Sequence, residues 1–539
     1  MRLSDSEKDK IKHAAEQIRG NRKIAGLAVY GSKVAGYARE DSDYDAILLL
    51  DGYAEGIRYR YTKNPVNASF IVVDSSFFEE DAKSSYLGEF VAGRLLNIYE
   101  PIINPDAFRN AEIEYKKRVI LESLYELSTE YGEFLEEIMI PYDYFLFDKL
   151  KKRARVYPPA LYSYVQTYTC PLASENRRES ISGFVKAANL LEKNGLLKCY
   201  PEFVMIGKKI GTDLFGRILS LFSLATRGIT QYAVHGYAGR VGLRIVKEEA
   251  SSKLKRRKVK GIIPNELDEP KSLLRVEQGL FFPTSEIVSY LANINGMNDF
   301  KTEERGIGEL YSTTSILTIS SSEKSVSFVV KRFSDVRAIK WVLLNIWAAT
   351  SRKFTMSPLS RMHREYRATI SLKKCGIDVP SIIAISIEGR TIVKEYVDGI
   401  TLSEYMERCE EEGKVPELVS KYGEIMAKAH NCSIAIGDTK PSNVLVKGER
   451  LYLTDLEQAS ENGDCAWDVA EFLFYTSKLT LNEQRVRRLS SLFVRGYLSI
   501  GKKENIVRAF SSKYVAPFRP FLTPRILSAI KETVNQTIG

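Results

Sequence analysis

A multidomain α+β chain is expected: a small mixed-sheet unit first, a helical middle with a winged-helix piece, and a bilobal C-terminal half. Three observations predict it. Gly437-Asp438-Thr439-Lys440-Pro441-Ser442-Asn443, followed by Asp455-Leu456-Glu457-Gln458, spaces an Asp, an Asn and a second Asp as metal-assisted phosphoryl transfer requires. Gly31-Ser32 with Asp43-Tyr44-Asp45 forms a second phosphate-binding pattern near the N-terminus. The apolar periodicity also changes along the chain, from strand-like to helical near 111, back to strands over 300–400, and to helices beyond 415.

The 539 residues suggest about three or four domains. A hydrophobic fraction of 44% beside 27% charged residues belongs to globular chains rather than disordered ones. No apolar run reaches the roughly 18 residues of a membrane span, and Met1 to Lys12 carries no signal-peptide core. The six cysteines form no CxxC pair, so neither a zinc site nor a disulfide framework is expected, and a cytoplasmic setting fits best. The net charge of +10 permits a polyanionic partner such as RNA without requiring one.

Taken in order, residues 5–20 read as a helix with Ile11, Ala14, Ala15 and Ile18 on one stripe. Ile24–Tyr30, Ala46–Leu50 and Asn67–Val73 read as strands. Residues 1–110 are therefore a first α/β unit, and 111–250 a helical one. Its segment 177–210 has an amphipathic helix, a stop at Asn194-Gly195 and a hairpin, the order of a winged helix. Residues 251–299 form a lead-in that carries the basic run Lys253, Lys255, Arg256, Arg257, Lys258 and Lys260. Residues 300–539 divide into a strand-rich lobe, 300–400, and a helical lobe, 401–539.

Near the N-terminus, side chains at i and i+2 of a strand share a face, so Asp43 and Asp45 can hold a divalent metal together while Tyr44 points away. Gly31 lets the backbone approach a triphosphate, and Ser32 offers an amide and a hydroxyl. Two metals on such carboxylates activate a hydroxyl and stabilise leaving pyrophosphate. This stretch, about residues 25–75, resembles the minimal nucleotidyltransferases of the DNA polymerase beta superfamily: Gly-Ser, a short helix, then Asp-x-Asp entering a strand. The resemblance implies a third carboxylate on a later strand. That strand is "VNASFIVVD", with Asn67 or Ser69 near the implied place and Asp74 its only acid.

In the C-terminal half, Lys331 ends the strand "VSFVVK" where it can reach ATP phosphates, with Glu365 on a downstream helix as its partner. Glu395-Tyr396-Val397 follows a further strand and reads as the adenine-binding hinge, with Glu395 and Val397 at its two ends. Gly306-Ile307-Gly308 is a candidate phosphate-covering turn. Asp438 is expected as catalytic base, Lys440 as a γ-phosphate contact, and Asn443 and Asp455 as ligands of Mg2+ or Mn2+. This half resembles the atypical archaeal-type kinases, the RIO family and the kinase of the KEOPS tRNA-modification complex. The resemblance implies that Asp468 braces the catalytic loop and that the acceptor is the protein itself or another protein. Two positions depart from the pattern: Ile436 stands where a His is usual, and Glu457 where a Gly or Pro follows the metal Asp.

Aromatic and basic residues alternate over 142–168. They either stack on RNA bases, with Lys149 to Arg155 and the 253–260 run meeting phosphates, or fill a domain interface. The expected function is an ATP- and magnesium-dependent transferase, with an N-terminal nucleotidyltransferase site and a RIO-like serine/threonine kinase site. Its partners are a nucleoside triphosphate, a protein acceptor, and RNA or a ribosomal particle, with no membrane. The alternatives are one active and one degenerate nucleotide-binding domain, or an RNA- or ribosome-binding scaffold switched by ATP.

Overall fold

The computed structural model describes residues 2–158, 160–207, 263–307, 314–334, 357–476, 482–520 and 522–539. The basic run 253–260 and Gly308 lie outside the described residues. The chain divides into two compact units: Met1–Glu130 with Ile138–Arg275, and Tyr131–Glu137 with Val276–Gly539.

The first unit opens with helix α1, Asp5–Arg19, whose Ser4 and Glu7 form a reciprocal capping box. Strands β1 (Ile24–Tyr30), β2 (Tyr44–Leu50), β3 (Ile57–Thr62), β4 (Ala68–Asp74) and β5 (Tyr99–Ile103) make a sheet of order β3-β4-β2-β1-β5. β2 is antiparallel to β1 and parallel to β4, so the sheet is mixed. The central strands read as apolar runs because both faces are covered. β3, "IRYRYT", escapes a hydrophobicity search because it is an edge strand with arginines at alternate positions. Helix α2 (Ser32–Ala35) follows β1, and α3 (Ser75–Ser84) follows β4.

Helices α4 (Pro105–Tyr131), α5 (Tyr142–Val156), α6 (Ala160–Thr169) and α7 (Ala173–Lys193) complete this unit, with β6 (Ile140–Pro141), β7 (Leu197–Cys199) and β8 (Phe203–Ile206) in a small sheet of order β6-β8-β7. Helix α7 is followed by Gly195 at φ 73° and by the β7–β8 hairpin. Most of the rings expected to stack on bases over 142–168 are instead packed inside, on α5 and α6. Tyr142, Tyr144, Phe145, Phe147, Tyr164 and Tyr168 are buried. Lys149 and Arg153 are buried too, and pair with Glu89; Lys149 also reaches Glu122 at 2.8 Å. A base cannot reach rings that are already packed, and cations held by buried carboxylates are not offered to phosphates.

The second unit holds a six-stranded sheet of order β10-β11-β12-β14-β13-β9: β9 Leu280–Phe281, β10 Lys301–Ile307, β11 Thr314–Ser320, β12 Ser325–Arg332, β13 Ile382–Ser386 and β14 Thr391–Glu395. The helix Pro358–Lys374 stands between β12 and β13 in sequence. The sheet starts earlier than the sequence suggests, since β9 pairs in parallel with β13 well before residue 300. Beyond β14 come three small-sheet strands, β15 (Ile400–Thr401), β17 (Val444–Lys447) and β18 (Arg450–Leu453), and a two-stranded pair, β16 (Ile434–Ala435) with β19 (Ser460–Glu461). Around them pack helices Leu402–Glu411, Leu418–Asn431, Cys465–Thr476, Glu483–Leu498 and Pro524–Ile538 on one large core. Contrary to the cysteine spacing, Cys375 and Cys432 are joined as a disulfide, with Cα atoms 6.6 Å apart. Both residues cap helix C-termini, and the tertiary fold rather than sequence distance brings them together. Among the described residues, no helix is long and apolar enough to cross a membrane.

Candidate functional site

The C-terminal site is built on β12. Its antiparallel register with β14 sets Lys331 opposite Ile392 and Val329 opposite Lys394, so Lys331 and Lys394 project from the same face. Both meet Glu365, which is buried on the helix Pro358–Lys374. Lys331 Nζ lies 2.9 Å from Glu365 Oε2, and Lys394 Nζ pairs with Glu365 Oε1. Lys331 also pairs with Asp455, and lies 3.4 Å from Glu457 Oε2. Arg361, one turn before Glu365, donates to Glu457 at 3.5 Å and to the Ser334 carbonyl at 2.8 Å. Burial works against the Lys331 ammonium, but Asp455, Glu365 and Glu457 outweigh it, and its pKa is raised. Burial also opposes the Glu365 carboxylate; Lys331 and Lys394 outweigh it and hold that pKa low.

The candidate catalytic loop lies between β16 and β17. Gly437 sits at φ 89°, a backbone state that favours glycine. Asp438 and Lys440 form an ion pair at 2.8 Å. Burial opposes the Lys440 charge, and Asp438, then Glu471, outweigh it, raising its pKa. Asn443 Nδ2 donates to the Asp438 carbonyl at 3.1 Å, which leaves the amide oxygen as its acceptor end. The Asn443 carbonyl accepts from Thr454 N and Thr454 Oγ1, each at 2.9 Å, placing Asn443 beside the backbone of Asp455. Asp455 holds φ 54°, unusual for a residue with a side chain. An amide oxygen and a carboxylate are hard donors of the kind magnesium takes, so Asn443 and Asp455 fit the ion expected here.

A brace beneath the loop fixes its backbone. Asp468, fully buried on the helix Cys465–Thr476, accepts from Ile436 N at 2.5 Å and Gly437 N at 2.9 Å. His430 Nε2 lies 3.1 Å from Asp468 Oδ2, and His430 Nδ1 lies 2.7 Å from the Tyr497 hydroxyl. Glu471 accepts from Thr439 N at 2.8 Å, which explains a polar Thr439 in a buried loop position. Lys394, Arg361, His430 and Glu471 were not foreseen from sequence: each is a single residue far along the chain, with no motif to announce it.

Burial opposes protonation of His430, but the Asp468 hydrogen bond outweighs it, and the imidazole pKa stands well above its ordinary 6.5. A raised folded pKa contributes stability that is complete below the unfolded value and lost as pH rises through the folded one. Hydrogen exchange of the helix Leu418–Asn431 should therefore quicken on the alkaline side. In His430→Gln this pH-dependent part should be absent; an identical alkaline profile in the variant would contradict it.

The described residues expected as hinge and phosphate-covering turn lie on or beside the six-stranded sheet. Glu395 ends β14 opposite Phe328; its N–H donates to the Ser381 carbonyl at 2.8 Å, and its carboxylate accepts from Ser381 N at 3.3 Å. Val397 is buried just beyond. Gly306, on β10, pairs with Ser315 of β11, with nothing within 4 Å of where a Cβ would stand, and the next rung joins Ile307 through Thr314 to Lys331.

In the first unit, β2 pairs Asp45 with Tyr30 of β1 and with Ser69 of β4. Gly31, at φ 84°, brings its backbone so close that an added Cβ would stand 2.8 Å from Asp45 Oδ2. Tyr44 turns the other way, its hydroxyl donating to Glu7 at 2.5 Å. Burial, then the Asp43 charge, pushes Asp45 up to about 7, with Arg94 pulling the other way. Ser32 opens α2 directly after Gly31.

Asp74 is not brought to this pair. Its register partner is Leu50, five residues along β2 from Asp45, roughly 16 Å away at strand rise. Its carboxylate instead caps α3 through Ser76 N at 3.0 Å and accepts from Tyr53 N at 2.7 Å. The third-carboxylate role expected of Asp74 fails on that geometry, and Ser69 occupies the neighbouring rung. Among the described residues, no cluster of three or more His, Cys, Asp or Glu side chains is arranged to hold a metal.

Residues 349–471 match the family model described as the RIO domain, a span that includes Glu365, Lys394, Asp438, Lys440, Asn443, Asp455 and Asp468. The chain is 24% identical over 149 residues to the "Probable serine/threonine-protein kinase BUD32 homolog" of Archaeoglobus fulgidus, covering 28% of this chain and 71% of that protein. It is 33% identical over 95 residues to the "Probable bifunctional tRNA threonylcarbamoyladenosine biosynthesis protein" of Methanosarcina barkeri, covering 18% of this chain and 16% of that one. With the "KEOPS complex subunit Bud32" of Pyrococcus abyssi it shares 28% over 95 residues, 18% of this chain and 43% of that one. A solved aminoglycoside phosphotransferase, APH(4)-Ia, overlaps 47% of this chain and 96% of its own at 11% identity and a TM-score of 0.27, too low to carry an argument. The chain thus contains a RIO-like region and is similar in part to Bud32-type kinases.

Proposed function

We propose that the second unit is an ATP- and magnesium-dependent phosphotransferase of the atypical serine/threonine kinase type. The carrying observation is the continuous set of contacts from Lys331–Glu365, through Asp455, to the loop that holds Asn443, Asp438 and Lys440. In this mechanism Asp438 receives the proton of the acceptor hydroxyl as its oxygen bonds to the γ-phosphorus. The bond between that phosphorus and the β–γ bridging oxygen breaks, and ADP leaves with the electron pair. Lys440 faces the transferred phosphoryl group, Lys331 the α- and β-phosphates, and the Glu395–Val397 segment the adenine. Asn443 and Asp455 would hold magnesium, which would supply charge neutralisation on the phosphates. The helix Cys465–Thr476 follows β19 almost at once, which leaves little chain for a substrate platform and favours self or one dedicated protein acceptor. The names of its relatives make a tRNA-modifying assembly the first place to seek that acceptor.

A second activity, nucleotidyl transfer at Asp43, Asp45, Gly31 and Ser32, is favoured by the close Gly31–Asp45 approach and by the raised pKa of Asp45 beside Asp43. With Asp74 committed to α3, that site works with two carboxylates or serves as a nucleotide-binding unit alone. Incubation with ATP labelled separately at the α- and γ-phosphates tests both activities. A γ-labelled acceptor is expected from the kinase site. In the double variant Asp43→Ala, Asp45→Ala, any α-labelled product should vanish while γ-transfer stays intact; an α-label that persists removes the N-terminal assignment.

A further inference from the structure

Three buried cations and three carboxylates meet around Lys331, where phosphotransfer needs one pair and a metal ligand. The cations are Lys331, Lys394 and Arg361, and the anions are Glu365, Asp455 and Glu457. The arrangement is balanced, yet it places Asp455 in an ion pair with Lys331, when the same carboxylate is needed by magnesium. Metal binding must therefore break the pair between buried Lys331 and half-buried Asp455. A buried ammonium that loses one of its anions is destabilised, and that cost would hold Asp455 back from the ion.

Glu457 answers that conflict. It is 2% exposed and stands two residues after Asp455, 3.4 Å from Lys331 Nζ, with Arg361 at 3.5 Å on its Oε2. Arg361 is itself fully buried and tied to the Ser334 carbonyl at 2.8 Å, so Glu457 cannot follow Asp455 toward a metal without abandoning a buried guanidinium. Glu365 meanwhile keeps Lys394 as its second partner, so it too stays in place when Lys331 turns toward phosphate.

We propose that Glu457 is a positioning residue for metal loading: it retains Lys331 when the divalent cation draws Asp455 away. This rests on the phosphotransferase assignment above. Loading is then an exchange, in which Lys331 gives up Asp455 and keeps Glu457 and Glu365. A small residue in place of Glu457 would leave Lys331 gripping Asp455, in direct competition with the ion.

Calorimetric titration of ATP at rising free Mg2+ tests this, in the full chain with Asp43→Ala and Asp45→Ala present throughout to remove the N-terminal site; wild type here denotes that background with Glu457 intact. In wild type, ATP binding should depend on Mg2+. In Glu457→Gln the free Mg2+ at half-maximal ATP binding should rise about tenfold, with the binding plateau retained, the scale of one close charge pair. Glu457→Asp, which withdraws the carboxylate by one methylene, should shift it by about threefold, and carries the same test should the Gln variant fail to fold. A wild-type chain that binds no ATP at any Mg2+ overturns the phosphotransferase assignment itself. Wild-type binding that responds to Mg2+, with both variants superimposed on it, overturns the role of Glu457 alone. Weakened ATP binding at every Mg2+ concentration, with no shift in the midpoint, also overturns it, since that is the result of general damage to the site.

Discussion

Asp438→Asn is expected to lower γ-phosphate transfer by about 10³-fold while ATP binding persists. The substitution keeps the size of the side chain and removes the charge that receives the proton. It also removes the 2.8 Å ion pair to Lys440, so the lysine is freed to meet phosphate, and nucleotide affinity should hold or rise slightly. The measurement is the transfer of γ-label to the chain itself and to candidate acceptors, beside an ATP titration of the same variant. Wild-type labelling in Asp438→Asn would remove the base role, because no other carboxylate of the loop is placed to substitute. Thr439 and Glu471 are occupied with one another at 2.8 Å, and Asp468 lies beneath the backbone it braces.

The second large effect is expected at Asp468. It accepts two backbone N–H groups of the catalytic loop and faces a buried imidazole, all without solvent. Asp468→Ala strands those donors and leaves His430 without its anion, which is the most damaging way to treat a buried pair: about 3–5 kcal/mol. The loss should appear as a lower unfolding temperature of the second unit and as an undetectable γ-transfer. Asp468→Asn keeps a carbonyl acceptor of the same shape and should recover part of the stability. If Asp468→Ala melts as wild type does, the brace carries none of the loop's order and the pairing with His430 is incidental. Because the chain has two compact units, the transition should be followed by a probe inside the second one, such as hydrogen exchange at Ile436 and Gly437.

The two effects share a cause that the linear pattern does not show. The spacing of Asp438, Asn443 and Asp455 was legible because a short loop followed by a hairpin needs few residues, and hydrogen bonds within it are local: Asn443 reaches Asp438, and Thr454 reaches Asn443. Lys331 with Glu365 was legible for a different reason. A lysine closing an apolar strand and a glutamate on the next helix form a pattern that survives the segment between them. The N-terminal sheet gave up β1, β2 and β4 readily, since buried central strands are continuous apolar runs, but hid the edge strand β3 among its arginines.

Asp74 shows where linear reasoning stopped. It was the only acid on its strand, but a parallel register against β2 sets it at the far end from Asp45, and an N-cap claims its carboxylate. The basic and aromatic stretch of α5 shows the same limit. Composition gave Lys149 and Arg153 the look of a nucleic-acid surface, and only packing against Glu89 and Glu122 reveals them as interior charges.

Sequence by itself determined the local chemistry of this protein: which loops carry acids and amides at phosphotransfer spacing, which strands are central, and where a glycine must take a positive φ. These follow from contacts within a few residues, where the chain has little freedom to do otherwise. Tertiary structure alone decided the partners: Lys394 beside Glu365, Arg361 beside Glu457, His430 beside Asp468, and Cys375 beside Cys432. Such pairs join residues tens of positions apart, and a buried charge or thiol declares its partner only when the core has closed around both.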